Sequence, residues 1–233
     1  MSIYPPSVEH SFDGLNVAIP SDKFAREEVR TVNTGPGPRP TLVDFTPSDF
    51  RRHLPEALSI YVQAMNYPRG TERSRAPMWT EHTTRRSWQG AGLLVERDGR
   101  QRLAAIAYGY RGEPQQWWQE QVRHGMRASR WPEDQIRNLL SNYFELTELH
   151  VRPDEQGQGF GEALLRHLTR NRDEHAILLS TPEVAGEANR AWHLYRRLGF
   201  RDVVRNFTFT GDARPFAVLG RALPFEPAEG RPL

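Results

Sequence analysis

Residues 143–200 hold the clearest alternation of hydrophobic and polar positions in the chain, and the period of this alternation changes along the way. Side chains alternate with a period of two from Tyr143 to Val151, which predicts a β-strand. Apolar residues then recur at every third or fourth position from Phe160 to Leu168, which predicts an amphipathic helix. An apolar run at 176–180 predicts a second strand, and a second helical period ends before Gly199. The order strand, helix, strand, helix indicates an α/β domain.

Upstream of this region, the pattern predicts one strand, one helix and a hairpin. Residues 41–45 have the composition of a strand, and Thr46 is the expected N-cap of a helix that runs to about Met65. Alternating segments on both sides of Asp98-Gly99 predict a β-hairpin. The stretch 66–89 between these elements is polar, so we expect a loop. Its hydrophobic anchors are Met78, Trp79 and Trp88.

The two ends of the chain differ from its middle. Residues 1–40 are polar and proline-rich, and we expect them to form an arm that is only partly ordered. Residues 41–223 form the predicted domain, which closes with a hairpin that turns at Gly211-Asp212. Residues 224–233 are again proline-rich and are predicted to form a tail. The organisation is therefore one domain with an extension at each end.

Residues 113–140 are an insertion with two predicted helices between the third and fourth predicted strands. The insertion carries several basic and aromatic side chains, namely Arg123, His124, Arg127, Arg130 and Trp131. Such a set occurs in nucleic-acid-binding proteins, but the formal net charge is only +2 and no basic block is present, so we expect no nucleic-acid partner. A lid over a substrate site and a dimer surface remain open as roles for the insertion.

Three glycines stand two apart in the turn that joins the first strand and helix of the central region. The turn Gln156-Gly157-Gln158-Gly159-Phe160-Gly161 exposes backbone N–H groups at a helix N-terminus, which favours an anion. A Rossmann fingerprint needs G-x-G-x-x-G, and a P-loop needs a lysine that this turn lacks. An ordinary turn with glycines for geometry is the structural alternative. Together with its strand, the turn resembles the pyrophosphate loop of the GNAT superfamily of acyl-CoA-dependent N-acyltransferases.

A second segment resembles the same superfamily. Residues 187–200, EANRAWHLYRRLGF, are similar to the family segment N-x-x-A-x-x-L-Y-x-x-x-G-F, in which the tyrosine points at the coenzyme sulfur. Tyr195 holds the tyrosine position. The family's asparagine lies seven residues before the tyrosine, where this chain has Ala188, whereas Asn189 lies six residues before it. Taken alone, Tyr195 also suits a core position on an amphipathic helix.

The resemblance implies a GNAT fold, which is a mixed α/β fold with a predominantly antiparallel sheet flanked by helices, here with the helical insertion between the third and fourth strands. It also implies acetyl-CoA as co-substrate, without a metal. In the superfamily the fourth and fifth strands splay apart, which here predicts a slot between 149–151 and 177–180. The residues expected to bind the coenzyme are Leu149, His150, Val151, Gln156, Gly157, Gln158, Gly159, Phe160, Gly161, Asn189 and Tyr195. The resemblance also implies that Tyr195 donates a proton, or at least a hydrogen bond, to the departing thiolate.

Three residues of the first central strand are candidates for the base that deprotonates the acceptor amine. Glu145 is the first, because it lies six residues before Val151. The similar histone acetyltransferases of the superfamily have the glutamate that acts as general base at this position. Glu148 is the second candidate and His150 is the third. Strict alternation predicts that Glu145 shares a face with Leu149 and that Glu148 lies on the opposite face. Each of them is alternatively a solvated or ion-paired strand residue, with water as the base.

The composition narrows the mechanism and the compartment. The 233 residues include no cysteine, which excludes an acyl-cysteine intermediate, so we expect direct transfer in a ternary complex. No apolar run reaches the length of a membrane span, and the N-terminus lacks the pattern of a signal peptide. We therefore expect a cytoplasmic protein without a membrane partner. Arginine supplies all but one of the 31 basic residues, a bias typical of a GC-rich genome. We expect this genome to be bacterial.

These observations predict an N-acetyltransferase that moves an acetyl group from acetyl-CoA to a primary amine. A small-molecule amine and a protein lysine or N-terminus both remain open as acceptors, because acceptor specificity lies in variable loops. The stretch 66–89 holds more basic than acidic residues, which disfavours a polycationic acceptor. The alternatives are a catalytically silent acyl-CoA-binding regulatory module and an interaction protein that uses the Trp-rich insertion. A monomer and a homodimer are both compatible with the sequence.

Overall fold

The structure is a computed structural model that describes residues 40–225. The expectations for the N-terminal arm and for the proline-rich tail fall on residues 1–39 and 226–233, which lie outside the described residues. In the described part of the chain, no helix combines the length and the apolar character that a membrane crossing requires.

Seven strands within residues 40–225 form one sheet in the order β1-β2-β3-β4-β5-β7-β6. The strands are β1 (Thr41–Phe45), β2 (Gln89–Arg97), β3 (Arg100–Arg111), β4 (Tyr143–Val151), β5 (Ala176–Pro182), β6 (Arg201–Thr208) and β7 (Pro215–Ala222). The pair β4 and β5 is parallel, and every other neighbouring pair of the sheet is antiparallel. The mixed and predominantly antiparallel sheet expected from the sequence is confirmed.

Helices cover both faces of this sheet. They are α1 (Pro47–Met65), α2 (Thr71–His82), α3 (Trp117–Ala128), α4 (Glu133–Ser141), α5 (Phe160–Thr169) and α6 (Arg190–Arg197). The buried residues of α5 and α6 form one hydrophobic cluster with the sheet face that carries Phe144 and Ile177. On the opposite face, α1 and α2 pack around Tyr108, whereas α3 and α4 pack around Tyr143 and Leu178. The two helix pairs on this second face lie over different halves of the sheet.

Helix α1 begins where the sequence predicts. The Thr46 side chain accepts a hydrogen bond from the Asp49 N–H, and the Asp49 carboxylate accepts one from the Thr46 N–H, which completes a capping box. Pro55 lies inside the helix and does not end it. The stripe that includes Phe50 and Leu58 is buried against the sheet, as its periodicity indicates.

The expectation of a loop over 66–89 is wrong, because residues Thr71–His82 form helix α2. This helix buries Trp79 and His82, and Ala76 and Met78 pack partly against the same cluster. Its other residues apart from Pro77 are polar, so no long apolar stripe marks it in the sequence. It even contains Pro77, and it begins after Gly70 without a side-chain cap. Tertiary packing of Trp79 therefore holds a segment that local propensity does not favour.

The insertion 113–140 contains two helices between β3 and β4, as expected, and both are part of the core. Val122 and Met126 of α3 and Ile136 of α4 are fully buried against β5, β6 and β7. Gln119 is also fully buried, and its amide nitrogen donates to the Leu140 carbonyl oxygen at 2.9 Å, which ties α3 to α4. The insertion is thus a fixed wall of the domain.

Replacing Met126 by alanine is expected to lower the free energy of unfolding by about 2–5 kcal/mol, because the change leaves a cavity under α3. The measurement is urea denaturation followed by circular dichroism. Gln135→Ala, an exposed position on α4, is the matched control and is expected to change stability by less than about 0.5 kcal/mol. An unchanged unfolding midpoint for Met126→Ala would contradict a core role for the insertion.

Candidate active site

The sheet opens between β4 and β5. These strands are paired only at Tyr143 with Ala176, Phe144 with Ile177, and Glu145 with Leu178. Beyond these pairs β4 stays with β3 to Val151, and β5 stays with β7 to Pro182. The predicted slot therefore exists between 146–151 and 179–182. Its expected boundary on β5 was two residues too early, because Ile177 and Leu178 still pair with β4.

A β-bulge in β4 changes which side chains face the same way. Glu148 pairs with Tyr108 and Leu146 pairs with Gly109, so Thr147 has no partner on β3. The extra residue interrupts the alternation and turns Glu148 to the face of Glu145. The expectation that Glu148 lies opposite Glu145 is therefore wrong.

Gly109 makes this bulge possible. A Cβ atom on Gly109 would lie 2.2 Å from the Glu145 carbonyl oxygen, which no larger residue tolerates. Two carboxyl groups and the imidazole of His150 therefore share one face of β4, the face covered by α1 and α2.

The backbone of β4 is directed alternately towards β3 and towards the slot. The Arg152 N–H donates to the Ala104 carbonyl oxygen at 2.8 Å, so alternation directs the backbone of His150 to β3 and that of Leu149 and Val151 to the slot. The Val151 carbonyl oxygen accepts a hydrogen bond from the Gln156 side chain at 3.2 Å. His150, expected to offer its backbone to the coenzyme, thus offers its side chain to the site.

The glycine turn projects unpaired N–H groups at the end of β4. Gly157 and Gly159 have φ values of 87° and 81°, which glycine adopts without strain, and Gly159 is the N-cap of α5. Within the described residues, the N–H groups of 157–161 make no hydrogen bond. Gly161 leaves no spare room, since a Cβ there would lie 3.2 Å from a Leu194 methyl group. The arrangement suits a phosphate group.

The buried carboxylate of Glu155 connects the turn to neighbouring residues. Glu155 accepts hydrogen bonds from Arg97 at 2.7 Å, Arg102 at 2.6 Å and Gln158 at 2.7 Å. Burial alone would raise the pKa of Glu155, but these hydrogen bonds outweigh it and hold the pKa below its usual range. The hairpin of β2 and β3 therefore fixes the turn in place.

Arg190 is a residue of the site that the sequence pattern did not identify. Its guanidinium donates to the Gln156 side-chain oxygen at 3.4 Å and lies near Gly157, so a positive charge stands beside the turn. Arg190 is exposed at the first position of α6, whereas the sequence pattern of that segment reports only its apolar face. The sequence does not show that Arg190 at the start of α6 lies next to the turn that precedes α5.

Helix α6 forms the other wall of the slot. The fully buried Trp192 donates its indole N–H to the Pro182 carbonyl oxygen at 2.9 Å, which ties α6 to the end of β5. Tyr195 is 7% exposed and packs on Phe200, and its hydroxyl makes no hydrogen bond with the described residues. Burial raises the pKa of Tyr195 above its usual range, and the charge of Glu148 adds to this effect.

Asn189 has a structural task that the sequence did not reveal. It is the N-cap of α6, and its side-chain oxygen accepts a hydrogen bond from the Trp192 N–H at 2.9 Å. Ala188, at the position of the family's asparagine, consequently lies outside the helix. The predicted contact of Asn189 with the coenzyme stays a prediction.

The two carboxyl groups of β4 lie in different surroundings. Glu145 is 3% exposed; its Oε1 accepts a hydrogen bond from Tyr110 at 3.2 Å, and its Oε2 is buried without a partner. Burial raises the pKa of Glu145 to about 8, although the Tyr110 hydrogen bond opposes this. Glu148 instead accepts a hydrogen bond from the Trp79 indole N–H at 3.1 Å and bonds to His150 Nε2 at 2.6 Å.

Aromatic rings from α1, α2 and β3 surround these polar groups. Tyr61 meets the His150 ring edge to face at 5.1 Å, and Trp79 stacks on it at 6.2 Å. His82 bonds to the Tyr108 hydroxyl at 3.0 Å, and burial lowers the pKa of His82 to about 4. Within residues 40–225, no group of three or more His, Asp or Glu side chains is arranged to hold a metal ion.

Comparison with known proteins agrees with this geometry. The family model described as "Acetyltransferase (GNAT) domain" matches residues 119–202. A GCN5-like protein acetyltransferase of Mycobacterium tuberculosis is 51% identical over 201 residues, which cover 78% of this chain and 98% of that protein. The chain belongs to the GNAT family of acetyltransferases. The resemblance stated from the two sequence motifs is thereby confirmed at the level of the family.

More distant GNAT relatives extend the comparison. The [ribosomal protein bS18]-alanine N-acetyltransferase of Escherichia coli K12 is 37% identical over 91 residues, or 38% of this chain and 61% of that protein. A GNAT-family structure from Desulfovibrio desulfuricans superposes with a TM-score of 0.54 at 12% identity, covering 79% of this chain and 99% of that chain. An acetyltransferase structure from Thermus thermophilus gives a TM-score of 0.50 at 15% identity, covering 79% and 97%. These structural likenesses show the GNAT fold.

The ionisation of Glu145 is expected to make the stability of this GNAT domain fall between about pH 5 and pH 8. The folded protein holds a proton on Glu145 up to about pH 8, whereas the unfolded chain releases it near pH 4.5, so the folded state binds more protons over this range. Urea denaturation at several pH values measures the effect. The Glu145→Gln variant should lose less stability than the wild type over this range, and equal slopes would contradict the raised pKa.

Arg190→Ala is expected to weaken acetyl-CoA binding about threefold to tenfold, because an exposed charge beside a phosphate contributes on the order of 1 kcal/mol. Titration calorimetry at low salt measures the affinity. Arg170→Ala, an exposed arginine at the C-cap of α5, is the matched control for loss of one charge. If both variants bind equally, Arg190 has no part in the coenzyme site.

Proposed function

We propose that this GNAT protein transfers the acetyl group of acetyl-CoA to a primary amine of a polypeptide, by direct attack in a ternary complex. The observation that carries the proposal is the slot between β4 and β5. Tyr195 lies on α6 at one wall, and Glu148 and His150 lie on the bulged strand at the other. Burial is the main cause that raises the pKa of Tyr195, and the charge of Glu148 adds to it, which supports a common reaction centre for both walls.

The coenzyme would be bound largely by backbone groups. The slot-facing backbone of Leu149 and Val151 suits the amides of the pantetheine arm, with the Val151 carbonyl oxygen already shared with Gln156. The free N–H groups of 157–161 suit the pyrophosphate, and Arg190 adds a compensating charge beside them. The contact of Asn189 with the coenzyme would use its amide nitrogen, because its oxygen caps α6.

The chemistry requires one proton acceptor and one proton donor. An alkylammonium has a pKa near that of lysine, about 10.4, and must lose a proton before the amine attacks the thioester carbonyl. The candidates for the acceptor of this proton are Glu145, Glu148 and His150. Tyr195 is the candidate donor, since a neutral phenol beside the departing thiolate gives it a proton as charge develops on sulfur. No protein thiol is available for a covalent acyl-enzyme.

A polypeptide acceptor is supported by the relatives. The relative from Mycobacterium tuberculosis that matches nearly its whole length is named a protein acetyltransferase, and the one from Escherichia coli is named for an alanine of a ribosomal protein. The arginines of the α1–α2 region, such as Arg69 and Arg73, are exposed and disfavour a polycationic small molecule. A lysine side chain and an N-terminal amine both fit this class of acceptor.

Free thiol release from acetyl-CoA tests the proposal, and the absence of cysteine gives the protein no thiol background. Three acceptor sets separate the classes: N-terminally blocked peptides with one lysine, lysine-free peptides with a free N-terminus, and small amines. Turnover with either peptide set supports the proposal and distinguishes lysine from N-terminal acetylation. Turnover with small amines alone would overturn the polypeptide acceptor. Binding of acetyl-CoA without turnover would support a silent regulatory module instead.

Tyr195→Phe is expected to lower kcat about a hundredfold, because the departing thiolate loses its proton donor. The affinity for acetyl-CoA should stay within about twofold of the wild type, since the ring and its packing on Phe200 are retained. Steady-state kinetics and calorimetry on the same preparation measure the two effects. Equal kcat values for the variant and the wild type would remove Tyr195 from the mechanism.

A further inference from the structure

The three candidate bases on β4 differ in their access to an acceptor. Neither oxygen of Glu145 is available to an acceptor: Oε1 accepts a hydrogen bond from the Tyr110 hydroxyl, and Oε2 is buried. His150 bonds through Nε2 only, and its Nδ1 makes no hydrogen bond with the described residues. The His150 residue is 8% exposed, whereas the unpaired Oε2 of Glu145 is buried. Of these two residues, His150 is therefore the one with a nitrogen that is free of bonds to the described residues and not among their buried unpaired atoms.

The position of the imidazole is held by its neighbours. Glu148 Oε2 lies 2.6 Å from Nε2, which favours a proton on Nε2 and leaves the lone pair on Nδ1. Trp79 lies parallel to the ring with an interplanar angle of 13°, and Tyr61 contacts it edge to face. A carboxylate on one nitrogen and a free lone pair on the other is the arrangement of a general base.

We propose that His150, oriented by Glu148, takes the proton from the acceptor amine, and that Trp79 is a positioning residue that holds Glu148. The proposal rests on the proposed acetyl transfer to a primary amine and names the group that performs its first step. The Trp79 indole N–H donates to Glu148 Oε1 at 3.1 Å, and the fully buried Trp79 is anchored in α2. Helix α2 would thus contribute to catalysis through the orientation of a β4 carboxylate.

The proton balance of this scheme closes. His150 Nδ1 accepts one proton from the ammonium, and the neutral amine forms a C–N bond at the thioester carbonyl. The C–S bond then breaks while Tyr195 gives its proton to the sulfur, and the second amine proton returns to the Tyr195 phenolate. The imidazolium then passes its proton from Nδ1 to solvent, so one proton is released for each amide formed.

A pair of tryptophans provides a matched test of the positioning role. The Trp79 N–H bonds to Glu148, whereas the Trp88 N–H is buried without a partner, and both rings pack in the same cluster around Phe50 and Tyr108. Trp79→Phe and Trp88→Phe therefore make the same chemical change in the same core. Only the first change removes a hydrogen bond to Glu148.

The experiment measures kcat, both KM values and acetyl-CoA affinity for the wild type, His150→Ala, Trp79→Phe and Trp88→Phe, with and without added imidazole. We expect His150→Ala to lower kcat at least a hundredfold with acetyl-CoA affinity within about twofold, and imidazole to restore part of kcat. Trp79→Phe should lower kcat about tenfold, and Trp88→Phe should leave it within about twofold. His150→Asn replaces His150→Ala if the alanine variant does not fold.

Other results overturn the proposal in distinguishable ways. A His150 variant within about threefold of the wild-type kcat, or one that imidazole does not rescue, excludes His150 as the proton acceptor. Loss of kcat in Glu145→Gln together with full activity of the His150 variant would assign the base to Glu145. Equal effects of the two tryptophan variants would reduce Trp79 to a packing role. A wild type that binds acetyl-CoA and releases no thiol with any acceptor would instead refute the proposed function.

Discussion

The single extra residue that β4 carries opposite β3 is the constraint on which the site depends. In a regular strand, Glu145 and Glu148 would face opposite sides of the sheet, because three positions separate them. The bulge at Thr147 brings both to the face under α1 and α2. It also lies just past the last β4–β5 pair, and a bulged strand bends and twists more strongly. The bulge thus accounts both for the placement of Glu145 and Glu148 on one face of the sheet and for the position where the slot begins.

The opening between β4 and β5 costs free energy, because it leaves backbone groups of both strands without partners. Beyond Glu145, the inner edges of β4 and β5 forgo mutual hydrogen bonds, and a buried backbone group without a partner costs about 1–3 kcal/mol. The chain offsets part of this cost with its own side chains: Gln156 bonds to the Val151 carbonyl oxygen, and Trp192 bonds to that of Pro182. The edges that stay open are those that a ligand with amide groups would satisfy.

The parts of the fold that were predictable from the sequence are those with local causes. The Thr46 cap, the buried stripe of α5 and the Asp98-Gly99 hairpin each depend on neighbours within a few residues. Helix α2 was not predictable, because Trp79 holds it through contacts with distant rings rather than through an apolar stripe. The bulge was not predictable for a similar reason: it is a property of the pairing between β3 and β4, and the alternation along β4 alone does not show it.

The candidate site follows the same division. The glycine turn and Tyr195 belong to motifs that are continuous in the chain, whereas Arg190 and Trp79 belong to the site only through the fold. The two glutamates of β4 show why residue type alone does not assign a role. Glu145 is enclosed with Tyr110 and retains a proton near neutral pH, while Glu148 has both oxygens bonded to donors that lie beside the slot. This chemical difference comes from the bulge and from helix α2, which supplies the Trp79 N–H to Glu148. Helix α2, which the sequence pattern did not predict, is therefore one of the two features that distinguish the glutamates.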